Sequence, residues 1–164
     1  MTQDRRQFLV NGWKVGGALL IGAAGYTAYE ALRPFASGAG GGELSVGAVG
    51  DFAPDSATYF PEGRVYVVKA KGDLLALSPK CPHLGCHVPF CESSGRFECP
   101  CHGSIFDIGG EYITGPSPRG MDRYPIAVKG RAVVVDTGSL ETGPDRGAHK
   151  YFSKPKGPSC IKGA

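Results

Sequence analysis

Residues 81–104, CPHLGCHVPFCESSGRFECPCHGS, constrain the fold of this chain most strongly because they hold cysteines and histidines at metal-ligand spacing. Cys81 and His83 form a Cys-x-His pair, and Cys99 and His102 form a Cys-x-x-His pair. Two thiolates and two imidazoles suit a tetrahedral zinc ion or a [2Fe–2S] cluster. Zinc leaves a further cysteine in each half of the segment unexplained.

The chain beyond residue 43 is predicted to be β-structure, since no later segment keeps a helical period for three turns. The predicted elements are a strand at residues 43–49, a hairpin at residues 64–78 that turns at Lys71-Gly72, and a hairpin at residues 123–136 that turns at Lys129-Gly130. The 26 glycines and 13 prolines also favour loops and turns over a helical bundle. A net charge of +3 without a basic run gives no reason to expect nucleic-acid binding.

An apolar stretch from Val15 to Leu32, with Glu30 as its one charge, is predicted to be a transmembrane helix. At 1.5 Å per residue it would extend about 27 Å, close to the hydrocarbon thickness of about 30 Å. A cleaved signal peptide is the alternative, but Ala36-Ser37-Gly38 is a poor cleavage site, so we expect a retained anchor.

Basic residues around this stretch predict its export and its orientation. Arg5-Arg6 followed by Phe8-Leu9 resembles the twin-arginine signal, which exports folded proteins with their cofactors, although a chance basic N-terminus is the alternative. The arginine pair and Lys14 outnumber Arg33 on the far side of the stretch. This excess favours a single-pass protein of the bacterial cytoplasmic membrane with a cytoplasmic N-terminus.

The Gly-rich residues 34–43 are predicted to be a flexible hinge, with a passive spacer as the alternative. A flexible coil of that length has an r.m.s. span of about 17 Å. The predicted regions are 1–33, a cytoplasmic twin-arginine segment with a transmembrane anchor; 34–43, the hinge; 44–137, the β domain; and 138–164, an irregular C-terminal tail.

The motifs CPHLGC and CPCHGS resemble the two cluster-binding loops of the Rieske iron–sulfur subunit of cytochrome bc1/b6f-type quinol oxidoreductases. The resemblance covers about residues 43–136, and the anchor and hinge match the layout of the family as well. It implies an all-β, antiparallel β-sandwich head with a cluster-binding subdomain and one Rieske-type [2Fe–2S] cluster per chain. By resemblance, Cys81 and Cys99 bind the inner iron, and His83 and His102 bind the outer, solvent-facing iron.

The resemblance also implies a disulfide between Cys86 and Cys101 that ties the two loops together. The two cysteines are 15 residues apart. In the chain-entropy model, a disulfide that closes a loop of this length stabilises the fold by roughly 3 kcal/mol. Ser104 matches a serine that donates a hydrogen bond to a bridging sulfide. Phe106 stands where high-potential members have a tyrosine that donates to a ligand cysteine. We therefore expect a lower potential, suited to menaquinol more than to ubiquinol, with simple space filling by Phe106 as the alternative.

Two further features are assigned by the same resemblance, and two histidines are set aside on their spacing. Residues 115–120, GPSPRG, resemble the proline loop that covers a third side of the cluster, with a surface turn as the alternative. Leu84 is expected to be an apolar contact at the tip of the head, where it docks. His87 and His149 lack ligand spacing and are expected to be ordinary surface histidines.

Cys91 and Cys160 belong to neither motif. Because leftover thiols usually pair in an oxidising compartment, we expect a second disulfide that fixes the tail near the cluster-binding subdomain. On the chain-entropy model it would stabilise the fold by roughly 4 kcal/mol. Free or intermolecular thiols are the alternative.

The function implied by the resemblance is that of the electron-transfer subunit of a quinol:cytochrome c reductase (translocase), respiratory or photosynthetic, or of a complex with a plastocyanin-like acceptor. His102, with His83 beside it, would hydrogen-bond quinol and accept its proton on the periplasmic side of the membrane. The expected partners are a cytochrome b subunit and a c-type cytochrome in a dimeric complex.

Two other functions remain open from the sequence. The small Rieske subunit of an arsenite-oxidase-like molybdenum enzyme shares the export signal and the disulfide, but it docks rigidly and would not use a Gly-rich hinge. A Rieske ferredoxin lacks both the loop disulfide and an anchor, so Cys86, Cys101 and the apolar stretch argue against it.

Overall fold

A computed structural model describes residues 4–32 and 41–161, which belong to two separate units: an N-terminal helix and a β head. Residues 34–40, which are most of the predicted hinge, lie outside the described residues. Arg33 and the poor cleavage site at residues 36–38 lie outside them as well. The head is described from residue 41, where Gly42 accepts a hydrogen bond from the Thr137 backbone amide at 3.1 Å. Gly42, directly before the first strand, is therefore bound to the head.

Helix α1 spans Arg5–Leu32 and is long and apolar enough to cross a membrane. Its 28 residues extend about 42 Å at 1.5 Å per residue. None of its side chains is buried within the structure, which suits a helix whose surface faces lipid. The helix begins at Arg5 and not at Val15; residues 5–14 contain no proline, and half of them are good helix formers.

The head consists of three antiparallel sheets with the strand orders β1-β11-β10, β2-β3-β4-β9 and β5-β6-β7-β8. The strands are β1 (Glu43–Ala48), β2 (Ser56–Phe60), β3 (Val65–Ala70), β4 (Asp73–Leu77), β5 (Phe90–Cys91), β6 (Arg96–Glu98), β7 (Ile105–Phe106), β8 (Tyr112–Thr114), β9 (Arg123–Tyr124), β10 (Ile126–Lys129) and β11 (Ala132–Asp136). One 3-10 turn covers Val49–Asp51. The antiparallel, all-β head that the sequence predicted is confirmed.

Strand β3 of the central sheet is apolar at almost every position and is buried on both of its faces. Successive side chains of a strand point to opposite faces, so Val65 and Val67 enter one core while Tyr66 and Val68 enter the other. We call these the base core and the site core. The base core contains Val46, Phe52, Val65, Val67, Ala76, Val133 and Val135. The site core contains Phe97, Phe106 and the two motif cysteines Cys81 and Cys99, together with residues of β3 and β4.

The two predicted hairpins are present, and the second turns one residue later than expected. Lys71 and Gly72 have φ of 49° and 92°, the left-handed pair that a two-residue hairpin turn requires. In the second hairpin Lys129 pairs with Ala132, so the turn consists of Gly130 and Arg131. Gly130 takes the first turn position with φ of 65°, which leaves Lys129 in the strand.

The third sheet and strand β2 were not predicted from the sequence. The third sheet is made of strands of two or three residues, too short for an alternating pattern to be read. Its strands are paired one after another along residues 90–114, and the metal motifs flank or interrupt them. The C-terminal tail contains no helix or strand through residue 161, yet its Gly143 and Tyr151 are buried.

A buried carboxyl pair lies in the turn between β7 and β8. Asp107 is 1% exposed, and its Oδ1 accepts hydrogen bonds from the backbone amides of Gly109 and Glu111, both at 2.9 Å. Its Oδ2 has no hydrogen-bond partner among the described residues. Burial, with the neighbouring Glu111 carboxyl, raises the pKa of Asp107 to about 7.

The raised pKa of Asp107 predicts a pH dependence of stability. Between about pH 4 and pH 7 the folded state keeps a proton that the unfolded state has lost. The free energy of unfolding should therefore decrease as pH rises through this window and level off above it. Asp107→Asn removes the titration and should flatten this part of the curve. Urea unfolding at several pH values measures it.

Glu62→Gln, at an exposed glutamate of the same head, is the matched control and should keep the wild-type slope. An Asn variant with the same slope as the wild type would contradict the prediction.

Candidate metal centre

The first metal motif folds as a tight loop between β4 and β5. The Cys81 amide donates to the Cys86 carbonyl at 2.8 Å, and the Gly85 amide donates back to the Cys81 carbonyl at 2.8 Å. Gly85 has φ of 77°, a conformation that residues with a side chain rarely adopt. The glycine of CPHLGC thus closes the loop and directs Cys81 inward.

The second metal motif closes in the same way. The Cys99 amide donates to the Ser104 carbonyl at 2.8 Å, and the Gly103 amide donates to the Cys99 carbonyl at 3.1 Å. Gly103 has φ of 71°, so both loops carry a left-handed glycine four residues after their first cysteine. We refer to residues 81–86 and 99–104 as the first and second Cys–His loops. Because the two loops share this hydrogen-bond pattern, their first cysteines, Cys81 and Cys99, occupy equivalent positions at one site.

Cys81 and Cys99 are the two cysteines of six that form no disulfide. They are 3% and 2% exposed, and the Cys81 thiol interacts with both the Cys99 thiol and the Ser104 hydroxyl. Burial raises the pKa of the Cys81 thiol, while hydrogen bonds from the His83 amide and the Ser104 hydroxyl act in the opposite direction. Two adjacent buried thiols that stay unoxidised beside disulfides are the expected arrangement for a pair of metal ligands.

His83 and His102 lie together on the outer side of the loops. Their ring centroids are 5.0 Å apart with an interplanar angle of 86°. His83 is partly exposed and His102 is exposed, in contrast to the buried thiols. The donor set therefore has sulfur inside and nitrogen at the surface, which fits a two-iron cluster with chemically different irons.

A disulfide joins the two Cys–His loops beside the thiol pair. Cys86 and Cys101 are bonded with Cα atoms 6.6 Å apart, as the resemblance implied. The Cys99 sulfur lies within 4.8 Å of both disulfide sulfurs. The bridge is not part of the donor set. Because it joins the two loops covalently, it fixes their spacing beside the buried Cys99 thiol.

The proline loop, residues 115–120, lies against the second Cys–His loop. Ser104 is 1% exposed, and its Oγ accepts a hydrogen bond from the Ser117 amide at 3.1 Å. Gly115 has φ of 102°, and a β-carbon there would lie 2.5 Å from the Ser104 Cα. Only glycine permits this close approach, which agrees with the expected cover on a third side of the site and disagrees with a free surface turn.

The remaining residues singled out in the sequence lie around this centre. Phe106 is fully buried and pairs with Phe97 in the third sheet. Leu84 is 71% exposed at the tip of the first Cys–His loop, as expected for a docking residue. His87 lies outside the donor set, with Nε2 3.4 Å from the Tyr66 hydroxyl, and His149 packs near Phe152.

Sequence reasoning missed the contribution of Glu98, the residue directly before Cys99. Its side chain is 1% exposed and accepts hydrogen bonds from Ser94, Ser159 and the amides of residues 160 and 161. Burial alone would raise the pKa of Glu98, but these hydrogen bonds outweigh it and lower the pKa. The signal in the sequence is a charged residue between Phe97 and Cys99, directly before a motif cysteine.

Fold and donor set together define an iron–sulfur protein with a β head, two buried thiols and two surface imidazoles. The family model described as the Rieske [2Fe-2S] domain matches residues 43–125. The chain belongs to the Rieske [2Fe-2S] family, and its cofactor is a Rieske-type [2Fe–2S] cluster.

Individual relatives agree with this assignment. The chain is 35% identical over 96 residues to the cytochrome b6-f complex iron-sulfur subunit of Chlorobaculum thiosulfatiphilum, which covers 57% of this chain and 52% of that protein. It is 32% identical over 142 residues to the subunit of the same name from Synechococcus sp. (strain JA-2-3B'a(2-13)), covering 76% and 83%. Thus the chain spans about half the length of the first of these relatives.

Among solved structures, the chain resembles the cyanobacterial plasma membrane Rieske protein PetC3 from Synechocystis PCC 6803. The sequence identity is 33%, the TM-score is 0.46, and the match covers 56% of this chain and 97% of that one.

The loop disulfide should stabilise both the fold and the bound cluster. Replacing both Cys86 and Cys101 with serine removes a cross-link of sequence separation 15, so the free energy of unfolding should fall by about 3 kcal/mol. The visible absorbance of the cluster should also decay faster than in the wild type. Urea unfolding of the iron-free chain isolates the first effect, and an unchanged unfolding midpoint there would contradict it.

Proposed function

We propose that this chain is the Rieske subunit of a cytochrome bc-type quinol oxidoreductase, which takes one electron and one proton from quinol and passes the electron to a c-type cytochrome or a plastocyanin-like acceptor. The observation that carries the proposal is the asymmetric donor set of buried thiols and surface imidazoles, braced by the Cys86–Cys101 disulfide. A redox group held this way can meet a substrate only on its imidazole side.

The proposed ligands are Cys81 and Cys99 on the buried side and His83 and His102 at the surface. When bound, the cluster supplies a one-electron acceptor, and imidazole ligation gives Rieske centres potentials of about −150 to +300 mV. The Cys81 sulfur receives hydrogen bonds from the His83 amide and the Ser104 hydroxyl. Such bonds favour added negative charge at the ligand sulfur.

His102 is the proposed contact for quinol because its imidazole is exposed. A quinol hydroxyl would donate a hydrogen bond to a ring nitrogen of His102 and transfer its proton to that nitrogen. Leu84, exposed on the neighbouring loop, would contribute apolar contact with the partner surface around the quinol. The Cys86–Cys101 disulfide keeps the two imidazole-bearing loops at a fixed separation during this contact.

The proposed partners are a cytochrome b subunit and a c-type cytochrome in a dimeric membrane complex. Support comes from relatives named as iron-sulfur subunits of the cytochrome b6-f complex. Helix α1 would anchor the subunit, with the twin-arginine segment in the bacterial cytoplasm and the head on the periplasmic side. The predicted hinge is residues 34–43, and because Gly42 and Glu43 pair with the head, the part before Gly42 is proposed to let the head reach both partners.

Menaquinol is the proposed substrate because Phe106 carries no hydroxyl to donate to a ligand sulfur. Phe106 is fully buried two residues after Ser104 in the chain. With one donor fewer, the potential should lie below the top of the Rieske range of about +300 mV.

An EPR-monitored redox titration of the native membranes tests the cluster and its potential. The wild type should give a Rieske-type signal whose potential lies clearly below the upper end of the range. Phe106→Tyr should raise the midpoint potential because it adds a donor near the ligand sulfurs. Phe90→Tyr, at another aromatic residue that packs against the site core, is the matched control and should leave the potential unchanged. A wild-type potential at the top of the range would overturn the menaquinol proposal.

Purification of the chain from its native membrane tests the proposed complex. The proposal predicts co-purification with haems b and c and a change of the EPR signal by a quinol-site inhibitor. Molybdenum in the preparation would identify the arsenite-oxidase-like alternative. Absence of both haem and molybdenum from an intact preparation would favour a ferredoxin.

A further inference from the structure

The C-terminal tail returns to the metal centre at two places, and the proposed function uses neither contact. One contact lies near Arg146, against the proline loop, and the other lies at residues 159–161, against strand β6. Between them Tyr151 is buried, and its amide donates to the Glu111 carboxylate at 2.8 Å.

The first contact reaches the second Cys–His loop through the proline loop. The Arg146 guanidinium donates from Nε and Nη2 to the Ser117 carbonyl at 2.9 and 2.6 Å. It also lies 4.5 Å from the centre of the Tyr112 ring. The Ser117 amide in turn donates to Ser104 Oγ at 3.1 Å. Only one residue, Ser117, therefore separates the tail from Ser104.

Neighbouring bonds keep this part of the tail in place. The Gly120 amide donates to the Pro144 carbonyl at 2.7 Å, and the Gly143 amide donates to Asp122 Oδ1 at 2.9 Å. Asp122 also forms an ion pair with Arg119 of the proline loop at 2.8 Å. The tail and the C-terminal half of the proline loop thus form one hydrogen-bonded unit.

The second contact is centred on the buried Glu98 carboxylate. Glu98 Oε1 accepts from Ser94 Oγ at 2.7 Å. Glu98 Oε2 accepts from Ser159 Oγ and the Cys160 amide, both at 2.7 Å, and from the Ile161 amide at 3.3 Å. A buried carboxylate is costly unless it is hydrogen-bonded, and here the tail supplies three of the four donors.

A covalent bond closes the same contact. Cys91 and Cys160 form a disulfide with Cα atoms 5.8 Å apart and a sequence separation of 69. Cys91 pairs with Arg96 in the β5–β6 hairpin, so the tail is linked to the hairpin whose second strand ends at Glu98. Ser93 Oγ adds a hydrogen bond to the Pro158 carbonyl at 2.7 Å.

We propose that the tail is part of the structure that holds the metal centre, and that Glu98 is a positioning residue which binds residues 159–161 and so fixes the end of β6 and Cys99. The Cys91–Cys160 disulfide keeps the tail from leaving its binding site on the hairpin. This inference rests on the proposed role of Cys99 as a cluster ligand. The second Cys–His loop is then held from two sides, by Glu98 at Cys99 and by the Arg146–Ser117 contact at Ser104.

The test uses the full-length, cluster-loaded chain in detergent and four variants: Glu98→Ala, Glu98→Gln, a double Cys91→Ser/Cys160→Ser variant and Glu92→Gln. Glu92 is exposed in the same hairpin and is the matched control for a lost carboxylate. The readouts are amide hydrogen exchange in residues 99–104 and 156–161, the EPR line shape of the cluster, and the half-life of its visible absorbance.

Glu98→Ala should raise exchange in both segments by at least about tenfold, since charge-assisted hydrogen bonds of this kind are lost. It should also change the EPR line shape and shorten the half-life of the cluster. Glu98→Gln should restore most of the protection, because its amide oxygen can accept from the tail while its NH2 group donates to Ser94 Oγ. The serine double variant should raise exchange in 156–161 more than in 99–104, and Glu92→Gln should match the wild type.

The proposal is overturned if Glu98→Ala releases residues 156–161 while exchange in 99–104, the line shape and the half-life stay at wild-type values. The tail would then only cover the hairpin. If Glu98→Ala does not fold, the Cys91→Ser/Cys160→Ser variant is used in its place. The proposal is then overturned if that variant raises exchange in 156–161 and leaves both exchange in 99–104 and the cluster half-life at wild-type values. A wild-type chain without a Rieske EPR signal would instead refute the proposed function, so the two failures are distinguishable.

Discussion

The adjacency of two buried, unoxidised thiols is the constraint on which the rest of the head depends. Cys81 and Cys99 come from different loops, yet their sulfurs must share one apolar site and remain available to iron. The two loops meet this requirement with the same device, a left-handed glycine that lets the chain turn back on its own cysteine. The Cys86–Cys101 disulfide then joins the two loops covalently beside the thiol pair.

Supports reach this site from elements that are distant in the chain. The site core lies between the central sheet and the short third sheet, with Tyr66 and Phe97 in contact at a ring separation of 5.0 Å. The proline loop covers Ser104, and the tail holds both the proline loop and the strand that precedes Cys99. Small metal domains commonly depend on such outer contacts to orient their ligands.

The sequence was informative where the chemistry is local. The ligand candidates, both disulfide pairs and both hairpins could be predicted because each rests on a motif, a count or an alternating pattern. Beyond the Cys91–Cys160 link the tail could be described only as irregular, since its order comes from single side chains such as Arg146 and Tyr151 that find partners far away in the chain. Strands of two or three residues are too short to show an alternation of apolar and polar residues, so the third sheet could not be predicted from the sequence. The early start of α1 was missed because hydropathy marks where a membrane span lies and not where its helix begins.

The central sheet joins the two cores of the head. β3 and β4 contribute one face to the base core and the other to the site core, so the two cores are joined through the same two strands. Close-packed interiors resist deformation, and dipoles fixed in them need little rearrangement when charge arrives. A head built in this way can change its charge without changing its shape, so the surface around His83 and His102 keeps the same form in both charge states.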